Sequence, residues 1–153
     1  FVQHLSQVYR YVLTSREKDL VTLAEEVGFI RSYLFLLEMR FGKNLHTEIN
    51  IPKDKEQQHL PPLALQLLVE NAIKHNVVAS DQPLTLSIRI DKRGHLEVEN
   101  SLQKKLHVEP GSGFGLKNII KRYQLLGRSD VEISSENNHF TVALPLLLAQ
   151  PVL

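Results

Sequence analysis

The stretch Pro61-Pro-Leu-Ala-Leu-Gln-Leu-Leu-Val-Glu-Asn-Ala-Ile-Lys-His75 decides the fold. Two adjacent prolines suit a helix start, where a fixed φ and a missing amide are tolerated. The leucine-rich run that follows predicts a buried helix ending at His75. Four polar side chains interrupt it, and the spacing puts Glu70, Asn71 and Lys74 on one face, opposite much of the leucine stripe.

Two interpretations of this polar face stay open from the residues alone. One is a solvated helix face in which Glu70 and Lys74 form an ion pair four residues apart. The other is a binding site, because a carboxylate beside an amide can hold a magnesium ion and its waters, with a lysine available to phosphate.

A glycine-rich run, Gly111-Ser-Gly-Phe-Gly115-Leu116, follows about forty residues later and opens directly onto a second amphipathic helix over 116–126. Glycine permits close approach of the backbone, and the free amides at a helix start point at anions such as phosphate. A flexible loop or tight turn is the alternative, since glycine runs of this kind are common.

The remaining elements follow from hydrophobic period and turn residues. A helix is predicted over 1–14, with an apolar stripe that implies a partner helix. A long helix with a heptad-like apolar seam follows a capping box, Thr22 to Glu25, and stops at Gly42. Strands are predicted at 45–51, 84–90, 95–100, 131–133 and 140–144. This order of elements predicts an α+β layer sandwich.

Composition bounds the class of protein. The chain has 153 residues, 42% of them hydrophobic, which suffices for one full domain plus an appendage. Its formal net charge of +1 leaves no electrostatic footprint for nucleic acid. The absence of cysteine excludes disulfides and fits the cytoplasm. Apolar runs are too short to cross a bilayer, and because the chain begins inside a predicted helix we expect further sequence upstream.

In this order the motifs resemble the GHKL superfamily of ATP-binding domains, specifically the LytS-type sensor histidine kinases, which typically signal to LytTR response regulators. The run 61–75 looks like the family's N box, and 111–118 looks like its G2 box. Upstream, 21–26 and 33–42 look like the helix that joins the phosphoacceptor to the ATP domain. Nearly the whole chain is covered by the resemblance.

The resemblance implies a two-layer Bergerat sandwich, with a mixed and mostly antiparallel sheet under helices, and ATP below a mobile lid. The lid would be the segment 101–110. Residues 1–42 would be part of the helical dimerisation and phosphoacceptor region, and 43–148 the ATP-binding catalytic domain. The cofactors would be ATP and Mg²⁺, and the γ-phosphate would pass to a histidine that lies upstream of Phe1.

The family's residue roles carry over to the N box first. Asn71 would coordinate magnesium, and Glu70 would act as a base or orient water or the metal. Lys74 and His75 would lie near the phosphates. Electrostatic positioning would then dominate catalysis, because phosphoryl transfer needs charge neutralisation and alignment more than covalent chemistry.

The glycine box would supply Gly111, Gly113, Gly115 and Leu116 to the nucleotide, the amides of the last three contacting phosphate. The chain departs from the family at Asn100, where an aspartate usually binds the exocyclic amine of adenine. Asparagine still accepts a hydrogen bond from that amine, without the charge assistance of a carboxylate. We therefore expect weaker adenine recognition.

The family also implies partners: a homodimer in the full-length protein and a response regulator, of LytTR type. It implies a cytoplasmic domain of a membrane-anchored bacterial protein, with membrane contact only through upstream segments. None of the seven histidines, His4 included, has the sequence context of the phosphoacceptor. We therefore expect this chain to bind ATP and magnesium without phosphorylating itself.

Two alternatives remain. The Asn100 replacement would leave a non-catalytic dimerisation and signal-relay module if it abolishes nucleotide binding. An ATPase of the gyrase, Hsp90 or MutL type would share the fold, although the heptad-like N-terminal helices argue against it.

Overall fold

The computed structural model describes residues 1–107 and 114–148. Its helices are α1 (Val2–Ser15), α2 (Leu23–Phe41), α3 (Ala64–His75) and α4 (Phe114–Leu125). Its strands are β1 (Val21–Thr22), β2 (Leu45–Asn50), β3 (His59–Leu60), β4 (Leu84–Ile90), β5 (Leu96–Ser101), β6 (Glu132–Glu136) and β7 (His139–Leu144). Two 3₁₀ turns cover Gly42–Asn44 and Lys53–Lys55.

The main sheet has the strand order β2-β4-β5-β7-β6. Strands β2 and β4 are parallel, and each of the other neighbouring pairs is antiparallel. The parallel pair requires a crossover, which α3 provides between the two strands. The predicted α+β fold, with a mixed and mostly antiparallel sheet, is confirmed.

Alternation along the strands decides what faces the helices. In β5, Leu96, Val98 and Asn100 are buried while the residues between them are half-buried. Leu96 and Val98 join the core that also holds Val69 of α3 and Tyr123 of α4. The two-residue period of a strand therefore places Asn100 on the same side of the sheet as the helices.

The start of α2 confirms Thr22 as the capping residue but corrects the predicted role of Glu25. The Thr22 hydroxyl accepts a hydrogen bond from the Glu25 amide at 3.2 Å. The Glu25 carboxylate, however, receives the Thr22 hydroxyl at 3.2 Å, so it does not satisfy a backbone amide as a full capping box does. At the other end Gly42 has φ +58, which suits glycine at a helix stop, as predicted.

The sequence did not predict the small sheet formed by β1 and β3. In it Val21 pairs with Leu60 and Thr22 with His59. Strands of two residues contain no period to detect, so 53–59 was expected to be a loop throughout. Further shifts are small: β6 begins at Glu132, where the prediction had Val131, and α4 begins at Phe114, where it had Leu116.

The helix start predicted at the double proline lies slightly later, at Ala64. Leu63, the residue before it, has φ +65, and no side chain of its own segment caps the helix. Instead Glu26 of α2, fully buried, accepts hydrogen bonds from the Leu63 amide at 3.0 Å and the Leu65 amide at 3.3 Å. A carboxylate suits this place because a helix N-terminus has free amides and a partial positive charge.

Helix α1 reaches the same carboxylate. The Tyr11 hydroxyl donates a hydrogen bond to Glu26, and the Tyr11 ring stacks on Phe29 with centroids 4.6 Å apart. Further up, the His4 ring stacks on Phe35 at 4.0 Å. The predicted partner helix of α1 is therefore α2, and Glu26 joins α1, α2 and the start of α3.

The apolar stripe of α1 is only partly covered by α2. Val8 and Val12 are half-buried, whereas Val2 is 72% exposed and Tyr9 66% exposed. Helix α2 also contacts α3, so the two sides of residue 42 do not form separate cores. The domain boundary predicted after residue 42 stays a prediction. Among the described residues no helix is both long enough and apolar enough to span a bilayer.

The buried carboxylate predicts a pH dependence of stability. Burial raises the pKa of Glu26 above its ordinary value of 4.5, and the hydrogen bonds from Tyr11 and the α3 amides only partly offset this. The folded protein thus binds this proton more tightly than the unfolded chain, so the free energy of unfolding should fall as pH rises from 4.5 through the folded pKa. Urea unfolding across this pH range measures the slope.

Glu26→Gln should remove this part of the slope, because a neutral amide does not titrate. Glu17→Gln is the matched control, since Glu17 is exposed and should leave the slope unchanged. An unaltered slope in Glu26→Gln would contradict the assignment.

Candidate functional site

A cavity of about 360 Å³ lies between the last turn of α3, strand β5, the edge formed by β6 and β7, and the segment after β5. It is within the usual range for small-molecule sites. Its described lining residues are Asn71, Ala72, His75, Asn76, Asn100, Leu102, Lys104, Lys105, Ser135 and Phe140.

Asn100 forms the buried polar part of this cavity. It is only 4% exposed, and its Nδ2 donates a hydrogen bond to the Ser101 carbonyl at 2.8 Å. Its Oδ1 accepts no hydrogen bond from the described residues. This oxygen is therefore available to accept a hydrogen bond from a ligand amino group.

Asn71 and His75 lie one turn apart on α3, and both line the cavity. Burial lowers the pKa of His75, and the positive charges of Lys74 and Lys105 lower it further. His75 is therefore a neutral imidazole at neutral pH, in surroundings of positive potential. The structure thus brings together three of the predicted site residues: Asn71, His75 and Asn100.

Glu70 and Lys74 lie elsewhere on the helix. Glu70 is exposed, and its Oε1 accepts hydrogen bonds from the Tyr33 hydroxyl at 3.2 Å and from Gln66 Nε2 at 2.9 Å. It does not line the cavity and, within the described part of the chain, forms no ion pair with Lys74. Lys74 lines a neighbouring cavity. The catalytic roles of both residues stay predictions.

The glycine box is described only in part. Gly111 and Gly113 fall outside the described residues. Gly115 lies in the first turn of α4, where an added Cβ would meet Leu67 at 3.6 Å, an ordinary contact. The Leu116 side chain is partly buried and packs against the core. Phosphate binding by these glycines and by Leu116 stays a prediction.

Sequence reasoning missed how the segment after β5 is attached to α3. The Lys105 amide donates to the His75 carbonyl at 3.0 Å, and the Val77 amide donates to the Gln103 carbonyl at 2.8 Å. The Gln103 amide in turn donates to Asn76 Oδ1 at 2.9 Å. The segment expected to be a lid therefore begins with a short antiparallel pairing that fixes the lysines beside the cavity.

The lining residues contributed by this segment had no sequence signal. Asn76 is the residue that directly follows the last residue of α3. Lys104 and Lys105 belong to no periodic pattern. Phe140 was predicted in a strand, where its alternation with Val142 and Leu144 places it on the helix side of the sheet, but alternation does not show that it reaches the cavity.

Comparison with known proteins identifies the family. The sequence model described as histidine kinase matches residues 1–45. Over 136 residues the chain is 35% identical to the sensor histidine kinase BtsS of Escherichia coli K12, covering 87% of this chain and 24% of that protein. It is 28% identical over 161 residues to the sensor histidine kinase/phosphatase LytS of Staphylococcus aureus N315, covering 92% of this chain and 28% of LytS. The chain is thus a homologue of part of the sensor histidine kinases, BtsS and LytS among them.

Solved structures agree at the level of the fold. The histidine kinase domain of the Erythrobacter litoralis EL346 blue-light activated histidine kinase superposes with a TM-score of 0.56 at 16% identity, over 95% of this chain and 77% of that one. The mycobacterial sensor histidine kinase MprB superposes with a TM-score of 0.54 at 15% identity, over 84% and 97% of the two chains. The chain spans about a quarter of the length of the curated relatives it matches.

The attachment of the lid segment is testable through Gln103. Its Nε2 donates to the Val77 and Gln82 carbonyls, both at 2.8 Å, in addition to the backbone pairing. Gln103→Ala should release the segment, so the Lys105 and Val77 amides should exchange with deuterium about tenfold faster, for a loss of about 1.4 kcal/mol of local stability. Hydrogen exchange followed by mass spectrometry or NMR measures this.

Gln57→Ala, at an exposed position, is the control and should leave exchange at these amides unchanged. Equal exchange rates in Gln103→Ala and the wild type would show that the segment is held by other contacts.

Proposed function

We propose that this chain is the ATP-binding catalytic domain of a two-component sensor histidine kinase. It binds Mg-ATP in the cavity between α3 and β5 and delivers the γ-phosphate to a histidine upstream of Phe1, for relay to a response regulator. The observation that carries the proposal is the convergence of Asn71 and Asn100, from distant parts of the sequence, on one cavity.

The residues of this cavity fit an adenine base. Asn100 lines the cavity and offers its Oδ1 as an acceptor for an exocyclic amine, and Ala72, Leu102 and Phe140 supply apolar surface for a planar ring. A concave, partly apolar site with a few placed polar groups is typical of nucleotide cavities. The amide makes this hydrogen bond without the charge of an aspartate, which supports an affinity in the micromolar to millimolar range.

Magnesium would enter as the nucleotide complex. The described residues contain no group of three or more His, Cys, Asp and Glu side chains arranged to hold a metal. Mg²⁺ commonly keeps several waters and takes substrate phosphates as ligands, with few ligands from the protein. The Asn71 amide, at the edge of the cavity, would complete such a coordination sphere, and the metal would neutralise charge on the transferring phosphoryl group.

The chain's own contribution to transfer would be electrostatic. Lys104 and Lys105 lie beside the cavity with exposed side chains, and His75 lines it in its neutral form. Positioning and charge neutralisation dominate phosphoryl transfer, so these groups would hold the triphosphate in line with the attacking histidine. For Glu70 to act as a base or orient water, it would first have to leave Tyr33 and Gln66.

The full-length protein would be a homodimer that signals to a regulator of LytTR type, with this domain on the cytoplasmic side of the membrane, where ATP is available. The exposed apolar side chains of α1 support a second copy as the partner. They are Phe1, Val2, Leu5, Tyr9 and Leu13. Monomeric proteins seldom expose such a contiguous apolar face, and it lies within the residues that match the histidine kinase family.

Calorimetry with Mg-ATP tests the proposed site. We expect the 153-residue chain to bind Mg-ATP, Asn71→Ala to lose detectable binding, and Asn100→Ala to weaken it at least tenfold, because the proposed acceptor for adenine is removed. Asn50→Ala, at an exposed position on β2, should bind like the wild type.

The same experiment separates the alternatives. Absence of heat and of a thermal shift with Mg-ATP would contradict the proposal and favour a relay module that does not bind nucleotide. Steady ATP hydrolysis by the isolated chain would favour an ATPase of the gyrase, Hsp90 or MutL type.

The partner face of α1 is tested by sedimentation. If α1 pairs with a second copy, the chain should self-associate, and the double variant Leu5→Gln, Tyr9→Gln should shift the population to monomer by removing buried apolar area. Gln3→Ala, exposed on the same helix, serves as the control. A wild type that remains monomeric at every concentration would contradict α1 as the dimer face.

A further inference from the structure

A second cavity, of about 490 Å³, lies where the C-terminal end of α2 meets the end of α3 and the segment after β5. Its described lining residues are Arg40, Phe41, Ile73, Lys74, Val78, Lys105 and His107. Arg40 was not among the predicted site residues, and of this set only Lys74 was.

The polar side chains of this cavity are all basic. Arg40, Lys74, Lys105 and His107 line it, and none of its described lining residues is acidic. Within the described part of the chain none of these four forms an ion pair. Basic side chains that converge on a concavity with apolar walls raise the local concentration of anions. The chemistry of the cavity therefore suits a phosphate or another multivalent anion.

Arg40 is held at the wall of this cavity. Its guanidinium carbon lies 4.8 Å from the centroid of the Phe41 ring, which lines the same cavity. Stacking over an aromatic ring leaves the N–H donors at the guanidinium edge available for a ligand. A planar guanidinium binds two phosphate oxygens at once, which a lysine does not do.

Spacing along α2 explains why Arg40 faces the end of α3. Glu26, Tyr33 and Arg40 are each seven residues apart, so they lie in one row on the helix. Glu26 binds the start of α3 through the Leu63 amide, and Tyr33 binds Glu70, one heptad further along. Arg40 continues this row to the cavity at the end of α3.

The two cavities meet at Lys105, which lines both. Its amide is fixed to the His75 carbonyl at 3.0 Å. On α3, Asn71 and His75 face the first cavity, and Ile73 and Lys74 face the second. A ligand that fills the first cavity and extends past Lys105 therefore enters basic surroundings.

We propose that the Arg40 cavity binds the terminal phosphates of a nucleotide whose base occupies the neighbouring cavity, with Arg40 as a phosphate-binding residue supplied by α2. This inference rests on the proposed function for the identity of the nucleotide. It makes α2 sensitive to the number of phosphates bound, because the base and the terminal phosphates would occupy different cavities.

The test compares ligands that differ in phosphate number. Titration calorimetry of the 153-residue chain uses Mg-ATP, Mg-ADP, AMP and inorganic triphosphate as probes. Arg40→Gln should weaken Mg-ATP and inorganic triphosphate by about tenfold, as expected for loss of a charged hydrogen bond, and should leave AMP unchanged. Arg40→Lys should recover only part of the loss, since it keeps the charge without the planar donors.

Arg31→Gln is the matched control, because Arg31 is exposed on the same helix and lines neither described cavity. An equal loss in Arg31→Gln would show a general charge effect and overturn the proposal. The proposal would also be overturned if Arg40→Gln weakened the binding of AMP and of ATP equally. The same holds if ATP binding depends on Asn71 but is unchanged by Arg40→Gln. The wild type could also bind no adenine nucleotide and yet bind inorganic triphosphate in an Arg40-dependent way. This result would overturn the proposed function and the nucleotide as the ligand of the Arg40 cavity, but it would retain an anion site at Arg40.

Discussion

The structure depends on one buried carboxylate that caps a helix from outside its own segment. Glu26 of α2 is fully buried and accepts the Leu63 and Leu65 amides at the start of α3. Without it, free amides at a buried helix start would lose their acceptor, which costs about 1–3 kcal/mol for each unsatisfied group. Helix α3 also carries Asn71 and His75, so its position sets the geometry of the cavity. The contact that secures the fold therefore also places the candidate site.

Much of the architecture could be predicted from the sequence because it follows from hydrophobic periodicity and from residues that start or stop helices and strands. Local patterns mark the alternation in β4 and β5, the cap at Thr22 and the helix stop at Gly42. The strands and helices lie close to the positions that these patterns predict. The polar face of the predicted helix singled out Asn71, whereas the nucleotide roles of His75 and Asn100 came from the family resemblance, and the structure brings all three residues to one cavity. Polar residues that interrupt an apolar helix stand out against their surroundings, and this contrast is a local property of the sequence.

The features that could not be predicted from the sequence depend on contacts between distant segments of the chain. The cap on α3 comes from 37 residues away, and the lid segment is fixed by Gln103 to Val77, 26 residues away. Glu70 also shows that a contact with a distant segment is not predictable from local sequence. Its place on the helix was predicted, but a hydrogen bond from Tyr33 on α2 takes it out of the cavity, and no pattern within α3 reports that partner.

The row of Glu26, Tyr33 and Arg40 gives these long-range contacts a common geometry. Leu63 lies 37 residues after Glu26 and Glu70 lies 37 residues after Tyr33, so α2 and α3 run side by side in the same direction. Tyr11 of α1 donates to the first member of the row, and Arg40, the last member, lines the basic cavity at the far end of α3. The polar row along α2 therefore runs from the contact with Tyr11 of α1, past the start of α3, to the basic cavity lined by Arg40. Because Arg40 lies on the same helix as Glu26, a displacement of α1 that shifts α2 would also move the proposed phosphate-binding residue.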